Sequence, residues 1–454
     1  MKERSLSRSP LALLLCLSLL TMWGIPASAQ THNSQGKILA GYFEEWSIYY
    51  ANYNLANLES NGSAAKLSHL IYAFGNVSAS ASNPSSNSCV IADPWADFED
   101  NNLPPVGGIP DVWPLFGNFA EILKLKQLHP GLKSVISLGG ASASAAQAFS
   151  TAASTQAGRQ ALAASCINMF IVGNVGSDWN GNITAPGLFD GINIDWEFPT
   201  AADKQNFTLL LQEFRNQLNT LSAQTGKTYN LSFDGPAGAQ NYTNIDLKNA
   251  AKAVDFITID GYNYAGTWES TTNDASPLFD SRQDPSFGQG LDIEDTVSAY
   301  LKAGVPPAKY LMGVPLYAAG WTGVPNMNHG LYQNSSGPSS VLLANGTGLC
   351  TDLSGNTPGC DTLLTSGTAT YSTLSTLASS GYTSYFDPTR IAVSLYNPTT
   401  HTFYTYDNPD TAFLKSLYID FRVPGGLGGA FVWAVKDDDS NGTMVKTLAI
   451  GLGR

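Results

Sequence analysis

The chain has 454 residues, 13% of them charged, and a formal net charge of −13. A surface this acidic repels nucleic acid and anionic membranes, so neither is expected as a partner, and a neutral or cationic ligand suits it better. The length exceeds one typical core and predicts a large domain carrying an insert.

Lys2, Arg4 and Arg8 precede the apolar run PLALLLCLSLLTMWGI, and PASAQ follows with small residues at Ala27 and Ala29. This reads as a secretory signal over residues 1–29, with a membrane anchor as the alternative. The run is short for a membrane span, and Leu15 before Cys16 is too large for a lipoprotein cleavage site. No later segment has 18 consecutive apolar residues, so the mature chain is expected to be secreted, off the membrane and monomeric. Losing the signal removes three cations and one anion, which makes the balance more negative still.

Eight short apolar runs then recur, each ending in polar or aromatic residues. They are KILAGYFEEW (37–46), LSHLIYAFGNV (67–77), LKSVISLGG (132–140), FDGINIDWEF (189–198), YNLSFDGPAG (229–238), VDFITIDGYNY (254–264), YLMGVPLYAAGW (310–321) and GLGGAFVWAV (426–435). Between most of them lie segments with apolar spacings of three and four and a glycine at the end, such as FAEILKLKQLHPG, KQNFTLLLQEFRNQLNTLSAQTG and DIEDTVSAYLKAG. Strands alternating with helices predict parallel βαβ units. Eight of them predict a (β/α)8 barrel, with an open doubly wound sheet as the alternative.

Two connections are long. Residues 78–116 are rich in Ser, Asn, Asp and Pro. Residues 322–425 separate the seventh and eighth runs and carry β-like stretches of their own, RIAVSLYN and HTFYTYD. The expected organisation is barrel strands one to seven in 30–321, a small α+β insertion within 322–425, and strand eight with a final helix in 426–454. Once Cys16 leaves with the signal, Cys89, Cys166, Cys350 and Cys360 remain, an even number that allows three pairings. Cys350–Cys360 is favoured because it would staple a short Gly/Asn/Pro-rich loop; free buried thiols are the alternative. The five His are scattered and no Cys-x-x-Cys occurs, so no metal site is expected.

FDGINIDWEFP (189–199) carries the chemistry. Side chains alternate along a strand, so Asn193, Asp195 and Glu197 share one side, and Ile192, Ile194 and Trp196 share the other. In a barrel the apolar set suits the helix layer and the polar set faces the interior. Glu197, the last of the three, lies nearest the C-terminal mouth. Desolvation and a neighbouring like charge raise its pKa, which a general acid needs near neutral or mildly acidic pH. A buried polar ladder that only fixes the strand is the alternative.

This stretch resembles the Asp-Gly-x-Asp-x-Asp-x-Glu signature of glycoside hydrolase family 18, the chitinases. SLGG (137–140) matches the Ser-x-Gly-Gly of that family's third strand. GYFEEW, YAF, GYNY and GGAFVW resemble its strands one, two, six and eight, and GNFAEILKLKQLHPGLKSVISLGG its second helix and third strand. The insert resembles the α+β domain that deepens the groove in one chitinase subgroup.

The resemblance implies a TIM barrel with a small α+β insertion between strands 7 and 8. It also implies a retaining hydrolase of β-1,4 N-acetylglucosamine linkages in chitin and chitooligosaccharides, with no cofactor. By position, Glu197 is the proton donor, Asp195 orients the substrate's N-acetyl group, and Tyr262 hydrogen-bonds the acetamido oxygen. That oxygen attacks the anomeric carbon and gives an oxazolinium intermediate, so no protein nucleophile is needed. Trp433 matches the aromatic floor, and Tyr42 and Phe74 line the same pocket, although Phe74 suits the core equally well. Asn263 and Tyr317 complete the candidate sugar contacts. Ser137 supports the acids from below, and Trp46 and Trp321 are further groove candidates.

The chain departs from the family pattern at several places. Asn193 and Asn263 stand where Asp is usual, Ala141 where a Trp is frequent, and Ala319 where an Arg is common. Asp260 replaces a usual Met, and Asp234 a small apolar residue. Losing two negative neighbours predicts lowered pKa values for the Asp195/Glu197 pair and an acid-shifted activity, with Asp260 placed to restore part of the charge. Two other functions share the barrel: a weak or inactive chitin-binding lectin, and an endo-β-N-acetylglucosaminidase. Lectins of this kind typically lose the glutamate, and Glu197 is present.

Overall fold

Eight parallel strands pair in sequence and close on themselves in the computed structural model, which describes residues 36–49, 51–178, 181–339 and 367–454. They are β1 (Ile38–Glu44), β2 (His69–Ser78), β3 (Lys133–Gly140), β4 (Gly191–Trp196), β5 (Asn230–Gly235), β6 (Phe256–Ile259), β7 (Tyr310–Pro315) and β8 (Gly429–Trp433). Pairing of β8 back onto β1, from Ile38↔Gly429 to Gly41↔Val432, makes a closed barrel and excludes the open sheet.

Period-two patterning sorts each strand between two apolar layers. Ala40 and Tyr42, Ile71 and Ala73, Val135, and Phe431 form a small cluster on the barrel axis. Leu39 and Phe43, Leu70 and Tyr72, Ile136 and Leu138, and Ala430 and Val432 join the larger cluster under the helices. Helices fill that outer layer where apolar spacing predicts them, at Gly117–Leu128, Lys204–Thr225 and Ile293–Lys302. The second of these buries Phe207, Leu210, Leu211, Phe214 and Leu218 and stops at Gly226, whose φ of 70° is left-handed. Trp196 of β4 packs between Phe149 and Phe207, at ring separations of 5.5 and 5.7 Å.

The connection after β2 is tied down at both ends of its hairpin. Ser88–Ile91 pairs antiparallel with the far end of β2, and Cys89 is disulfide-bonded to Cys166 at the end of helix Gln156–Cys166. Cys350 and Cys360, and the signal segment 1–29, lie outside the described residues. Among the described residues, no helix is long and apolar enough to cross a membrane.

A second, six-stranded antiparallel sheet lies between β7 and β8 in the chain. The run 310–321, predicted as one strand, is two. Pro315 ends the barrel strand, Leu316 donates its N–H to Trp433, and Tyr317–Thr322 then becomes a central strand of the second sheet. That sheet therefore starts before the 321/322 boundary, because a proline has no N–H to continue the barrel ladder.

Candidate active site

β4 delivers its three polar residues to the barrel interior, as strand parity requires. Asn193 is fully buried and sits lowest. Its amide nitrogen donates to Ser232 of β5 (2.9 Å), and its oxygen accepts from Ser137 of β3 (3.0 Å) and Tyr42 of β1 (3.4 Å). Asp195, two residues on, is 3% exposed and accepts from Ser137 at 3.4 Å through Oδ2, while its Oδ1 is buried without a hydrogen-bond partner. Glu197 follows at the mouth, half-buried and in hydrogen-bonding contact with Asp195. Ser137 thus braces the row from beneath, as expected.

A cavity of about 380 Å³ opens above this row. Of the predicted residues, Asp195, Glu197, Tyr42, Tyr262, Asn263, Tyr317 and Trp433 line it. Tyr317, from the second sheet, donates to the side-chain oxygen of Asn263 at 2.8 Å and packs edge-on to Tyr262. Asn193 lies beneath the cavity rather than in its wall.

Phe74 also stands outside the wall. The register of β2 on β3 skips it between Ala73↔Ser137 and Gly75↔Leu138, and such a bulge re-aims a side chain. Phe74 stacks behind Trp433 at 5.9 Å and against Trp46 at the same separation, so it backs the floor. Trp321 does not belong to a groove: it is fully buried in the second sheet, with its indole nitrogen donating to Glu269. Exposed Trp268, at 67%, occupies the cavity rim instead, in a loop whose spacing gave no signal for it.

The largest difference from the sequence reading is electrostatic. Asp234 of β5 and Asp260, just past β6, both turn inward and line the cavity. Asp234 accepts from Thr258 at 3.2 Å, and Thr258 is itself 3.2 Å from the Tyr42 hydroxyl. Carboxylate oxygens of Asp195, Glu197 and Asp234 lie within 4.8 Å of one another. Asp260 is hydrogen-bonded by Tyr262. The negative charge missing at 193 and 263 is therefore returned at 234 and 260.

All four carboxyls are displaced upward. Burial is the main cause in each case. Glu197 and Asp260 add to the shift at Asp195, and Asp260, Asp195 and Glu197 add to it at Asp234. Asp260 is pushed up to about 8, with Glu197 the second cause. The acid shift expected from Asn193 and Asn263 is thus reversed. One cation lines the cavity, Lys436, and it is spent on Glu44 (3.2 Å) and Asp437 (2.8 Å). The site can hold protons at a cavity mouth, against an aromatic floor.

Comparison with known proteins places this geometry. Chitinase A1 of Niallia circulans is 30% identical over 94% of this chain and 60% of its own length. Chitinase ChiA of Flavobacterium johnsoniae is also 30% identical, but the chain spans only 28% of it. Chitinase 1 of Aphanocladium album is 28% identical and matches over nearly the full length of both chains, 99% and 94%. Among solved structures, the catalytic domain of psychrophilic chitinase B from Arthrobacter TAD20 superposes with a TM-score of 0.78 at 30% identity, covering 92% of this chain and 95% of that one. The glycosyl hydrolases family 18 model matches residues 38–438, from β1 past the end of β8, and the chain belongs to that family of glycoside hydrolases.

Proposed function

We propose that the protein is a secreted chitinase that cleaves β-1,4 N-acetylglucosamine linkages in chitin and chitooligosaccharides, with retention of configuration. The observation that carries this reading is the buried Asp195–Glu197 pair at the end of β4, with Glu197's pKa raised and Trp433 and Tyr262 facing it across one cavity. A carboxyl with a raised pKa keeps its proton near neutral pH and can give it to a leaving oxygen.

In this mechanism Glu197 protonates the glycosidic oxygen while the substrate's own acetamido oxygen attacks the anomeric carbon. The C–O bond to the leaving sugar breaks, and an oxazolinium forms. Asp195 steadies the acetamido N–H. Glu197, now a carboxylate, takes a proton from the incoming water, which opens the oxazolinium and restores the acid. Trp433 supplies the apolar face on which the reacting sugar rests. Residues 1–29 direct export and are removed, and the insertion between strands 7 and 8 walls the groove through Tyr317 and Thr368–Thr370.

Fluorophore release from a di- or tri-N-acetylglucosamine glycoside tests this, with Glu197→Gln as the control. Turnover that falls by roughly 10²–10⁴ in the variant supports it. Binding of the sugar without turnover by the wild-type chain would identify a lectin instead. Turnover of glycosides lacking the N-acetyl group would contradict the participation of the acetamido oxygen.

A further inference from the structure

We propose that Asp234 is a positioning residue for this reaction: from β5 it supplies the carboxyl that the acid row of β4 lacks at Asn193. The inference rests on the reading of Glu197 as proton donor and Asp195 as its partner.

Asn193 cannot hold an exchangeable acid proton, and its three hydrogen bonds go to Ser232, Ser137 and Tyr42, none of them a carboxyl. Asp195 nevertheless buries an oxygen that no donor reaches. Asp234 is the nearby group able to answer it. It lies two residues beyond Ser232, the residue that grips Asn193, so it occupies the same inward row one step nearer the mouth. Its oxygens lie within 4.8 Å of those of both Asp195 and Glu197. Carboxylates buried this close do not all ionise, so a proton shared between Asp195 and Asp234 satisfies both.

Position 193 and Asp234 are also joined by a chain of side chains running from Asn193 to Tyr42, Thr258 and Asp234. Asp260 is less suited to the role, because the Tyr262 hydroxyl already holds it. The charged and titratable groups facing Asp234 are Asp195 and Glu197 from β4, Tyr42 from β1, Asp260 and Tyr262 from the end of β6, and Tyr300 from helix Ile293–Lys302. Lys436 and Asp437 close the far wall.

The shared proton is not consumed. Glu197 gives its proton to the leaving oxygen and regains one from water, while the proton between Asp195 and Asp234 frees Asp195 to turn toward the substrate amide.

The test is the pH dependence of kcat and KM on a fluorogenic tri-N-acetylglucosamine glycoside, for wild type, Asp234→Asn, Asp234→Ser and the double variant Asn193→Asp/Asp234→Asn. Removing a negative neighbour lowers the pKa of the Asp195/Glu197 pair, so Glu197 loses its proton at lower pH. The expected result for both single variants is a kcat about tenfold lower, a KM changed by less than about threefold, and a basic limb moved down by roughly half to one pH unit. Restoring an acid at 193 should return the limb and most of kcat. A basic limb unmoved in both single variants overturns the proposal, whatever happens to kcat or to the melting temperature. So does a shifted limb that Asn193→Asp leaves where it is. A wild-type chain that hydrolyses none of these glycosides overturns the underlying reading as well; wild-type turnover with an unmoved limb overturns this inference alone.

Discussion

Glu197 has the hardest task in the molecule: it must stay protonated beside three other carboxyls and still be reachable from the cavity mouth. Burial does most of this, and the like charges of its neighbours do the rest. The cost falls on stability, and its sign follows from Asp260. Its carboxyl titrates near 3.8 when unperturbed and about 8 in the folded chain. Between those values the unfolded chain ionises and the folded chain resists, so stability is full below about pH 4 and is lost as pH rises toward 8. The slope from one such group is at most about 1.4 kcal/mol per pH unit. Melting temperatures measured from pH 4 to 9 should fall over this window, and Asp260→Asn should flatten the fall and raise the value at pH 8. The same charges keep Glu197 protonated, so the basic limb of the pH–rate profile is expected at or above neutral pH. A second prediction concerns Trp268, which offers an exposed aromatic face on the rim, away from the acids. Trp268→Ala should raise KM for longer oligomers several-fold and leave kcat for the shortest substrate close to wild type.

Strands and their connections set how accurately those side chains are aimed. β3 approaches β4 so closely near the mouth that a Cβ on Gly139 would sit 2.3 Å from the backbone oxygen of Asp195, and its φ of +115° disfavours any side chain. Gly139→Ala should therefore displace the strand that carries both acids, lowering kcat and the melting temperature together, as activity and calorimetry would show. The hairpin after β2 is different, since it lies outside the cavity wall. Cys89–Cys166 closes a loop of 77 residues there. Replacing both by Ser should cost about 4 kcal/mol of stability on the chain-entropy account, with kcat nearly unchanged at 25 °C. Period-two alternation made the β4 row readable from sequence alone, because inward acids and outward Ile and Trp strictly alternate. The same parity points Asp234 and Asp260 inward. What alternation along one strand does not show is that three strands converge on one cavity, so their charges read as isolated departures rather than as one cluster. Phe74 was ambiguous for a related reason: a bulge changes direction without a local sequence mark. Trp268 lies in a loop, where no periodicity exists to read.

At the scale of the whole molecule, the barrel holds the acids and the second sheet supplies part of the wall above them. The barrel was legible because eight apolar runs separated by helical segments admit few closed arrangements. The joint with the second sheet was not, because the apolar run passes unbroken through Pro315 while the hydrogen-bond partners change from β8 to the antiparallel strands. Trp321 looked like a groove residue for the same reason, since it falls on the buried face of a sheet that the run does not announce. One side chain does much to lock the joint. Arg390, just before strand Ala392–Asn397, is buried between two acids of the connection that follows β6. Its Nε lies 2.9 Å from Asp274, its other arm pairs with Asp284, and the Tyr332 hydroxyl is 2.8 Å away. Its carbonyl also accepts from the N–H groups of Leu278 and Phe279. Arg390 holds Asp284 below the usual carboxylate range, whereas burial still pushes Asp274 up to about 6. Removing the cation leaves both acids without their partner, so Arg390→Met should cost about 3–5 kcal/mol at pH 7, measured by denaturant unfolding. The loss should be smaller at pH 5. Without the guanidinium the pKa of Asp274 rises further, the folded chain binds its proton there, and a neutral carboxyl is cheaper to bury than an unpaired charge. Activity on long chitin chains should fall more than activity on a short glycoside, since Tyr317 and Thr368–Thr370 lose their support while β4 keeps its own.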